Sequence, residues 1–321
     1  MKNLRVQAKA RQAMNSKKIV VVGSSNTDLI LRVPHIPAPG ETILGGKFLT
    51  APGGKGANQA VAAARAGGSV VFVARVGNDH YGEEAVAGFA RDGIDVSHVV
   101  IDKRAPSGVA LIFVSSRGEN SIAVADSANG RLSPADIKRA GAAIREAKML
   151  VLQLEIPLET VCAAAAVAAS RHVPVILNPA PACPLPDELL QKVAVLTPNE
   201  TECQILTGIK ITGESTARKA AASLLARGVG AVIITMGKRG AYVATPQEDR
   251  LVPGFRVEPV DTTAAGDVFN GSLAVALVEG QPLSQAVRFA HAAAALSVTK
   301  PGAQSSAPRR KAVDKFLKTT L

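Results

Sequence analysis

Asp267 stands in the run Asp261-Thr262-Thr263-Ala264-Ala265-Gly266-Asp267-Val268-Phe269-Asn270-Gly271, directly before an apolar stretch that reads as a helix. Small residues let a backbone come close to a ligand, and the free N–H groups of a first helical turn point at whatever sits there. The natural guest is an anion such as a phosphoryl group. A carboxylate in that same turn repels phosphate, and makes sense there if it takes a proton from an attacking hydroxyl. A first-turn acid can equally do no more than complement the helix dipole, so this segment alone leaves both roles open.

Two further constellations carry polar chemistry. Gly53-Gly54-Lys55-Gly56-Ala57-Asn58-Gln59 is a second glycine loop opening a helix. It is not a G-x-x-x-x-G-K-[ST] loop, counted back from either Lys47 or Lys55, and taken alone it could be a plain tight turn. No G-x-G-x-x-G follows a strand, which disfavours a nicotinamide enzyme. Asn26 and Asp28 follow the first strand two residues apart, so an extended backbone puts both on one face. An amide beside a carboxylate suits the hydroxyls of a polyol, the charged acceptor making the stronger hydrogen bonds. An Asx turn in Ser24-Ser25-Asn26-Thr27-Asp28 is the competing reading.

Positioning these residues requires a regular scaffold, and the apolar pattern supplies one. The β-branched run 19–22 suits a strand buried on both faces. Residues 29–33 and 43–49 read as strands around the turn 34–40, and a helix over 57–66 is stopped by Gly67 and Gly68. Strands are expected at 70–76, 109–115, 121–125, 149–152, 173–177, 193–196, 231–235, 240–244 and 250–257. Helices are expected at 81–91, 134–147, 158–170, 200–206, 217–226, 265–278, 283–298 and 309–317. Strand and helix alternating at this spacing imply a largely parallel sheet covered by helices on both faces. The segments near 29–49 and 109–125 break the rhythm and read as a small β-sheet set apart.

Composition narrows the partners. The chain has 321 residues, 47% hydrophobic and 20% charged, with a formal charge of +11. Residues 1–18 carry six bases and no acid, and residues 300–321 carry six bases against Asp314, so the whole excess lies at the two ends. The body is electrically balanced and only 3% of residues are aromatic, so stacking platforms for a single strand of nucleic acid are lacking. A polyanion-binding role would rest on the ends alone, and neither nucleic acid nor membrane is an expected partner. Cys162, Cys183 and Cys203 are widely spaced, which suits packing in a reduced, cytoplasmic chain. His35, His80, His98 and His172 have no ligand-like spacing. No apolar run nears the ~20 residues of a membrane helix. Residues 1–17 read as a basic N-terminal extension without a secretory h-region, and Met14 is an alternative start.

Together these segments resemble the ribokinase (PfkB) family of carbohydrate kinases over nearly the whole chain, from about Ile19 to the C-terminal helix. Residues 53–77 and 261–274 carry the likeness most strongly. It extends to Gln153-Leu154-Glu155, Asn178-Pro179-Ala180-Pro181-Ala182, Thr197-Pro198-Asn199-Glu200-Thr201-Glu202, Val252-Pro253-Gly254-Phe255 and residues 291–295. The resemblance implies a three-layer α/β/α sandwich over 18–321 with a small β-sheet lid that mediates a homodimer. It implies ATP-dependent phosphorylation of D-ribose at the 5-hydroxyl. Related kinases of 2-deoxyribose, another pentose or a nucleoside are the alternatives, as is a non-catalytic sugar-binding protein on the same fold.

The resemblance also implies roles. Asn26, Asp28, Gly54, Lys55, Asn58 and Glu155 would hold the sugar, and Asp267 would be the base. The backbone of Ala264, Ala265, Gly266 and Asp267 would form the anion hole. Asn199 and Glu202 would serve Mg²⁺ and the phosphates. Thr235, Gly237, Lys238, Gly240 and His291 would line the ATP pocket with Asn199 and Gly266. Asp261, Thr263, Ser297, Lys300, Gly302 and Ser306 would surround a monovalent cation, K⁺. Asp126-Ser127-Ala128-Asn129 departs from the family in carrying an acid and a serine where small residues are usual.

Overall fold

The computed structural model describes residues 18–320. The basic extension expected over 1–17 lies outside the described residues. Thirteen strands follow in chain order: β1 (Lys18–Val22), β2 (Asn26–Val33), β3 (Lys47–Gly53), β4 (Ser69–Gly77), β5 (Asp95–Asp102), β6 (Gly108–Ser115) and β7 (Asn120–Ala125). After these come β8 (Met149–Leu152), β9 (Val175–Leu177), β10 (Val195–Leu196), β11 (Ala231–Thr235), β12 (Ala241–Ala244) and β13 (Asp249–Val252). Nine of them form one sheet in the order β13-β12-β11-β10-β9-β8-β1-β4-β5, and the other four form a second in the order β3-β2-β6-β7. The large sheet is parallel from β5 to β11, and β12 and β13 close one edge antiparallel.

Alternation along β1 shows how the layers are built. Ile19 and Val21 point into a core shared with the helices Lys55–Arg65, Ala265–Val278 and Leu283–Ser297. Val20 and Val22 point into the opposite core, against Leu158–Ala169 and Glu214–Ala226. All four are fully buried. A strand with helices on both faces has no polar face to show, which is why this run is continuously apolar. The sandwich and the separate small sheet agree with the sequence expectation.

Several elements differ from it: the strand expected over 250–257 is Asp249–Val252, and the short helix Asp187–Leu190 was not expected. The second strand begins at Asn26, three residues earlier than expected, so Asn26 and Asp28 lie in extended backbone and not in a turn. The third runs over Lys47–Gly53, where 43–49 was expected. Its residues are mostly exposed, so no buried face fixes its register; pairing with β2 does, from Asn26 opposite Gly53 to Arg32 opposite Lys47. β5 has no counterpart in the expected set, because Asp95, Ser97 and His98 interrupt its apolar run. The helix expected over 134–147 is two short ones, Pro134–Arg139 and Gly141–Arg145, the break falling at Ala140 and Gly141.

The parallel strands deliver their carboxyl ends to one rim. Ser24 and Asn26 follow β1, Gln153 and Glu155 follow β8, Asn178 follows β9, Thr197 and Asn199 follow β10, and Thr235 ends β11. Ligands of open α/β sheets bind in the crevice outside these ends. The small sheet rises from the same rim through Ser24 and Ser25. It leaves Phe48, Leu111, Ile122 and Val124 exposed. Among the described residues no helix is long and apolar enough to cross a membrane.

Candidate active site

Two adjoining cavities open at this rim. The smaller, about 160 Å³, is lined by Lys55, Asn178, Asn199, Glu202, Asp267 and Asn270 together with the backbone of Ala264, Ala265 and Gly266. The larger, about 290 Å³, is lined by Gly237, Lys238, Phe255, Val257, Phe269 and His291. Thr235, Thr262, Ala265 and Gly266 border both. One cavity is polar and charged and the other apolar, and the start of the Ala265–Val278 helix lies between them.

That helix start has an unusual entry. Ala264, its N-cap, has φ +59°, the left-handed region that costs a non-glycine residue about 1–2 kcal/mol. First-turn amides have no carbonyl four residues back to bond. The amide of Ala265 reaches back to the Thr262 carbonyl at 3.3 Å. Asp267, in this same turn, is buried. Asn58 Nδ2 donates to its Oδ2 and Gln59 Nε2 to its Oδ1, both at 3.0 Å. Burial raises the Asp267 carboxyl above the usual carboxylate range, against the charge of Lys55 and these two amide donors.

The glycine loop brings its helix to the β1 crossover by close backbone contact. A Cβ on Gly56 would lie 2.5 Å from the Ser24 amide nitrogen, and Gly54 combines φ +87° with a Cβ position 2.7 Å from the Asn26 nitrogen. Neither site accepts a side chain. The Lys55 amide donates to Glu155 Oε2 at 2.9 Å, and the Ser24 hydroxyl donates to the same oxygen at 2.6 Å. Burial works against the Lys55 ammonium, but Asp267, Glu155 and Glu202 outweigh it and raise its pKa. Lys55 is thereby held charged among carboxylates.

Asn26 and Asp28 share a face of β2, as extended backbone requires. A Cβ on Gly53 would fall 2.2 Å from Asp28 Oδ1, so the carboxylate lies directly over the Gly53 backbone. Burial, with Glu155 and Asp267 nearby, pushes the Asp28 carboxyl up to about 6. Asn26, Asp28, Gly54, Lys55, Asn58, Glu155 and Asp267 therefore converge, through direct hydrogen bonds, backbone contact or close charge.

Asn199 and Glu202 form a reciprocal cap on the Glu200–Thr207 helix. Asn199 Oδ1 accepts from the Glu202 amide at 2.8 Å, and Glu202 Oε2 accepts from the Asn199 amide at 2.8 Å. Glu202 Oε1 accepts from Asn199 Nδ2 at 2.9 Å. The carboxylate faces the smaller cavity beside Asp267 and Lys55, and burial raises its pKa. A Mg²⁺ held by one or two carboxylates, water and phosphate oxygens suits this donor set. Among the described residues no group of three or more His, Cys, Asp or Glu could hold a metal alone.

Thr235, Gly237, Lys238 and His291 line the larger cavity, and the buried His291 imidazole is pushed down to about 4, hence neutral. Gly240 does not line it; its φ of +99° and a Cβ position 2.0 Å from the Val252 carbonyl make it a turn residue. Asp261 ties two loops together, accepting from the Thr263 amide at 2.9 Å and the Gly302 amide at 2.8 Å. Ser297, the last residue of the Leu283–Ser297 helix, and Ser306 in the loop that follows are buried, Gly302 has φ +88°, and Lys300 is exposed.

Five residues in the site stand in segments noted in the sequence but carry no role there: Ser24, Gln59, Asn129, Gln153 and Asn178. Asn129 is buried; its Oδ1 accepts from the Ser25 amide, and its Nδ2 donates to the Ser25 carbonyl and to Asn26 Oδ1. Gln153 and Asn178 share one legible signal, being the first polar residue after a buried apolar strand. Cys203 is buried and its thiol pushed up to about 12, in keeping with packing.

Comparison with known proteins finds relatives over nearly the whole chain. The model of the pfkB family carbohydrate kinases matches residues 16–310. The chain is 45% identical to the ribokinase of Haemophilus influenzae, over 94% of its own length and 98% of the relative's. It is 40% identical to the deoxyribokinase of Salmonella typhi, over 93% and 98%. The structure of the Arabidopsis thaliana ribokinase complexed with ribose and ATP superposes with a TM-score of 0.88 at 35% identity, covering 94% of this chain and 99% of that one.

Proposed function

The chain belongs to the pfkB family of carbohydrate kinases, and we propose that it transfers the terminal phosphoryl group of ATP to the 5-hydroxyl of D-ribose. The observation that carries the reading is the position of Asp267, a buried carboxylate in the first turn of a helix between a polar and an apolar cavity. Adenine would occupy the larger cavity beside neutral His291, with its phosphates running over Gly266 toward Lys55. The sugar would lie against Asn26, Asp28, Lys55, Asn58 and Glu155, its reacting hydroxyl toward Asp267.

Phosphoryl transfer needs in-line positioning and charge neutralisation more than covalent chemistry. Asp267 would accept the proton of the attacking hydroxyl. The first-turn amides from Ala264 to Asp267 and the Lys55 ammonium would meet the charge that develops on the transferred group. Glu202, with Asn199, would hold Mg²⁺ together with the phosphates, and the ion would neutralise their charge. The loops joined by Asp261, with Thr263, Ser297, Lys300, Gly302 and Ser306, would hold K⁺ and so fix the helix entry at Ala264. The small sheet would act as a lid that excludes water, and its exposed Phe48, Leu111, Ile122 and Val124 support a homodimer formed through it. Three free cysteines suit a cytoplasmic setting.

A relative that phosphorylates deoxyribose makes the sugar the finer question. ADP release from MgATP, measured with ribose, 2-deoxyribose, fructose and adenosine, each with and without K⁺, answers it. The reading expects the highest kcat/KM for ribose and stimulation by K⁺. Preference for 2-deoxyribose would reassign the substrate within the family.

A further inference from the structure

Behind Asp267 runs a line of buried carboxamides that the transfer mechanism does not itself use. Gln59 Nε2 donates to Asp267 Oδ1 at 3.0 Å and to Asn178 Oδ1 at 3.1 Å. Gln153 Nε2 donates to Gln59 Oε1 at 2.7 Å, and Asn178 Nδ2 donates to the Thr197 carbonyl at 3.2 Å. Gln59 and Gln153 are fully buried, and Asn178 is 6% exposed.

The sense of every amide in this line is forced. Its two ends, the Asp267 carboxylate and the Thr197 carbonyl, can only accept. Asn178 must therefore turn its nitrogen to Thr197 and its oxygen to Gln59. Gln59 must turn its nitrogen to both Asn178 and Asp267, spending both N–H groups, and its oxygen to Gln153. Gln153 must turn its nitrogen inward, and its Oε1 is left buried without a partner. That oxygen lies where a Cβ on Gly23 would come within 2.0 Å. An unpaired buried oxygen costs free energy, so the orientation of the line is favoured by its two ends against the preference of its last member.

Close helix packing sets the Asp267 contact. A Cβ on Gly271 would lie 2.5 Å from the Gln59 carbonyl and 2.8 Å from the Ala62 Cβ, so glycine there lets the Ala265–Val278 helix press on Lys55–Arg65. Adjacent residues Asn58 and Gln59 then reach the two oxygens of one carboxylate. Gln59 cannot rotate without losing all three of its hydrogen bonds.

We infer that Gln59 is a positioning residue for phosphoryl transfer, acting through Asp267 by fixing the plane of its carboxylate, and that Gln153 and Asn178 act through Gln59. The inference rests on the reading of Asp267 as the base. A carboxylate free to turn would meet the reacting hydroxyl less often in the productive geometry, while sugar contacts made by Asp28 and Glu155 would remain. The effect therefore belongs in kcat and not in the ribose KM.

The test is steady-state kinetics of Gln59→Met and Gln153→Met, each alone and in an Asp267→Asn background. Gln59→Met should lower kcat tenfold or more with the ribose KM within about threefold of wild type. Gln153→Met, which removes the partnerless oxygen but leaves Gln59 Oε1 without its donor, should lower kcat about three- to tenfold with the same KM pattern. In the Asp267→Asn background neither should cost more than twofold. Wild-type kcat in Gln153→Met, or the full loss repeated beside Asp267→Asn, overturns the inference. Near-native turnover by Asp267→Asn alone overturns instead the reading of the base.

Discussion

Asn129 Nδ2 donates to Asn26 Oδ1 at 2.7 Å, joining two asparagines 103 residues apart in sequence. The bond sets the Asn26 amide with its oxygen toward Asn129 and leaves its N–H groups for a ligand. Asn129 is itself fixed by its two bonds to the Ser25 backbone, at 2.8 and 3.1 Å. Gly108 makes room for the pair, since a Cβ there would lie 2.3 Å from both side chains.

Asn129→Ala removes three hydrogen bonds and leaves the Ser25 amide and carbonyl unpaired in a buried place. Each unmade bond of that kind costs about 1–3 kcal/mol. We expect the ribose KM to rise roughly tenfold with kcat within a few-fold of wild type, because the reacting end of the site is untouched. Thermal melting should fall by several degrees. An unchanged KM would mean that Asn26 needs no help to face the sugar.

Asp267→Asn keeps the shape of the site and removes the proton acceptor. A positioned base contributes roughly 10²–10⁴ in rate, so kcat should fall by that factor while ribose binding, followed by calorimetry, stays within a few-fold. Turnover near wild type would exclude Asp267 as the base.

How much of this was legible in the sequence depended on the range of the interactions. Local backbone effects were readable: glycines 53, 54 and 56, the asparagine and aspartate two residues apart on a strand, and the acid in a helical first turn. The two layers of core followed from runs such as Ile19–Val22, which are apolar because both faces are covered. The register of β3 was not readable, since an exposed strand has no apolar face to mark it. Nor were the amides behind the site. Gln59 meets Gln153 across 94 residues and Asp267 across 208, and no local pattern records such pairings.

Asp28 gives the site a pH dependence. Burial, then the charges of Glu155 and Asp267, push its carboxyl up to about 6, so it gains a proton as the pH falls through that value. The protonated form is a poorer acceptor for sugar hydroxyls, and the ribose KM should climb below pH 6. Asp28→Asn should raise KM at pH 7.5 and flatten this limb. Stability runs the other way. A folded-state pKa raised above the unfolded 3.8 means that the contribution to stability is complete below pH 3.8 and is lost as the pH rises through 6. Asp28→Asn should therefore melt higher than wild type at pH 7 and lose that advantage at pH 4. Parallel melting curves across this range would show that Asp28 ionises as freely folded as unfolded.

Arg75 holds two buried carboxylates below the small sheet. Its Nη1 lies 2.7 Å from Asp102 Oδ2 and its Nη2 2.9 Å from Asp136 Oδ2, and the two acidic side chains are 3% and 0% exposed. Asp102 Oδ2 also accepts from Arg131 Nε at 2.8 Å, two residues beyond Asn129. The Arg104 amide, then Arg131 and Arg75, hold the Asp102 carboxyl well below the usual range. Stripping a buried carboxylate of its only partner costs about 3–5 kcal/mol; here Asp102 keeps Arg131 and Asp136 keeps Ser133 and Arg139, so Arg75→Met should lose less than that in urea unfolding at pH 7. A depressed folded pKa contributes stability above the unfolded value and loses it as the pH falls through the folded one. Without Arg75 the Asp102 and Asp136 carboxyls are less depressed, and acid unfolding should begin at a higher pH than in wild type. Because Arg131 remains bonded to Asp102, the folded variant should keep its ribose KM at low temperature. A raised KM there would show that Arg75 also steadies Asn129.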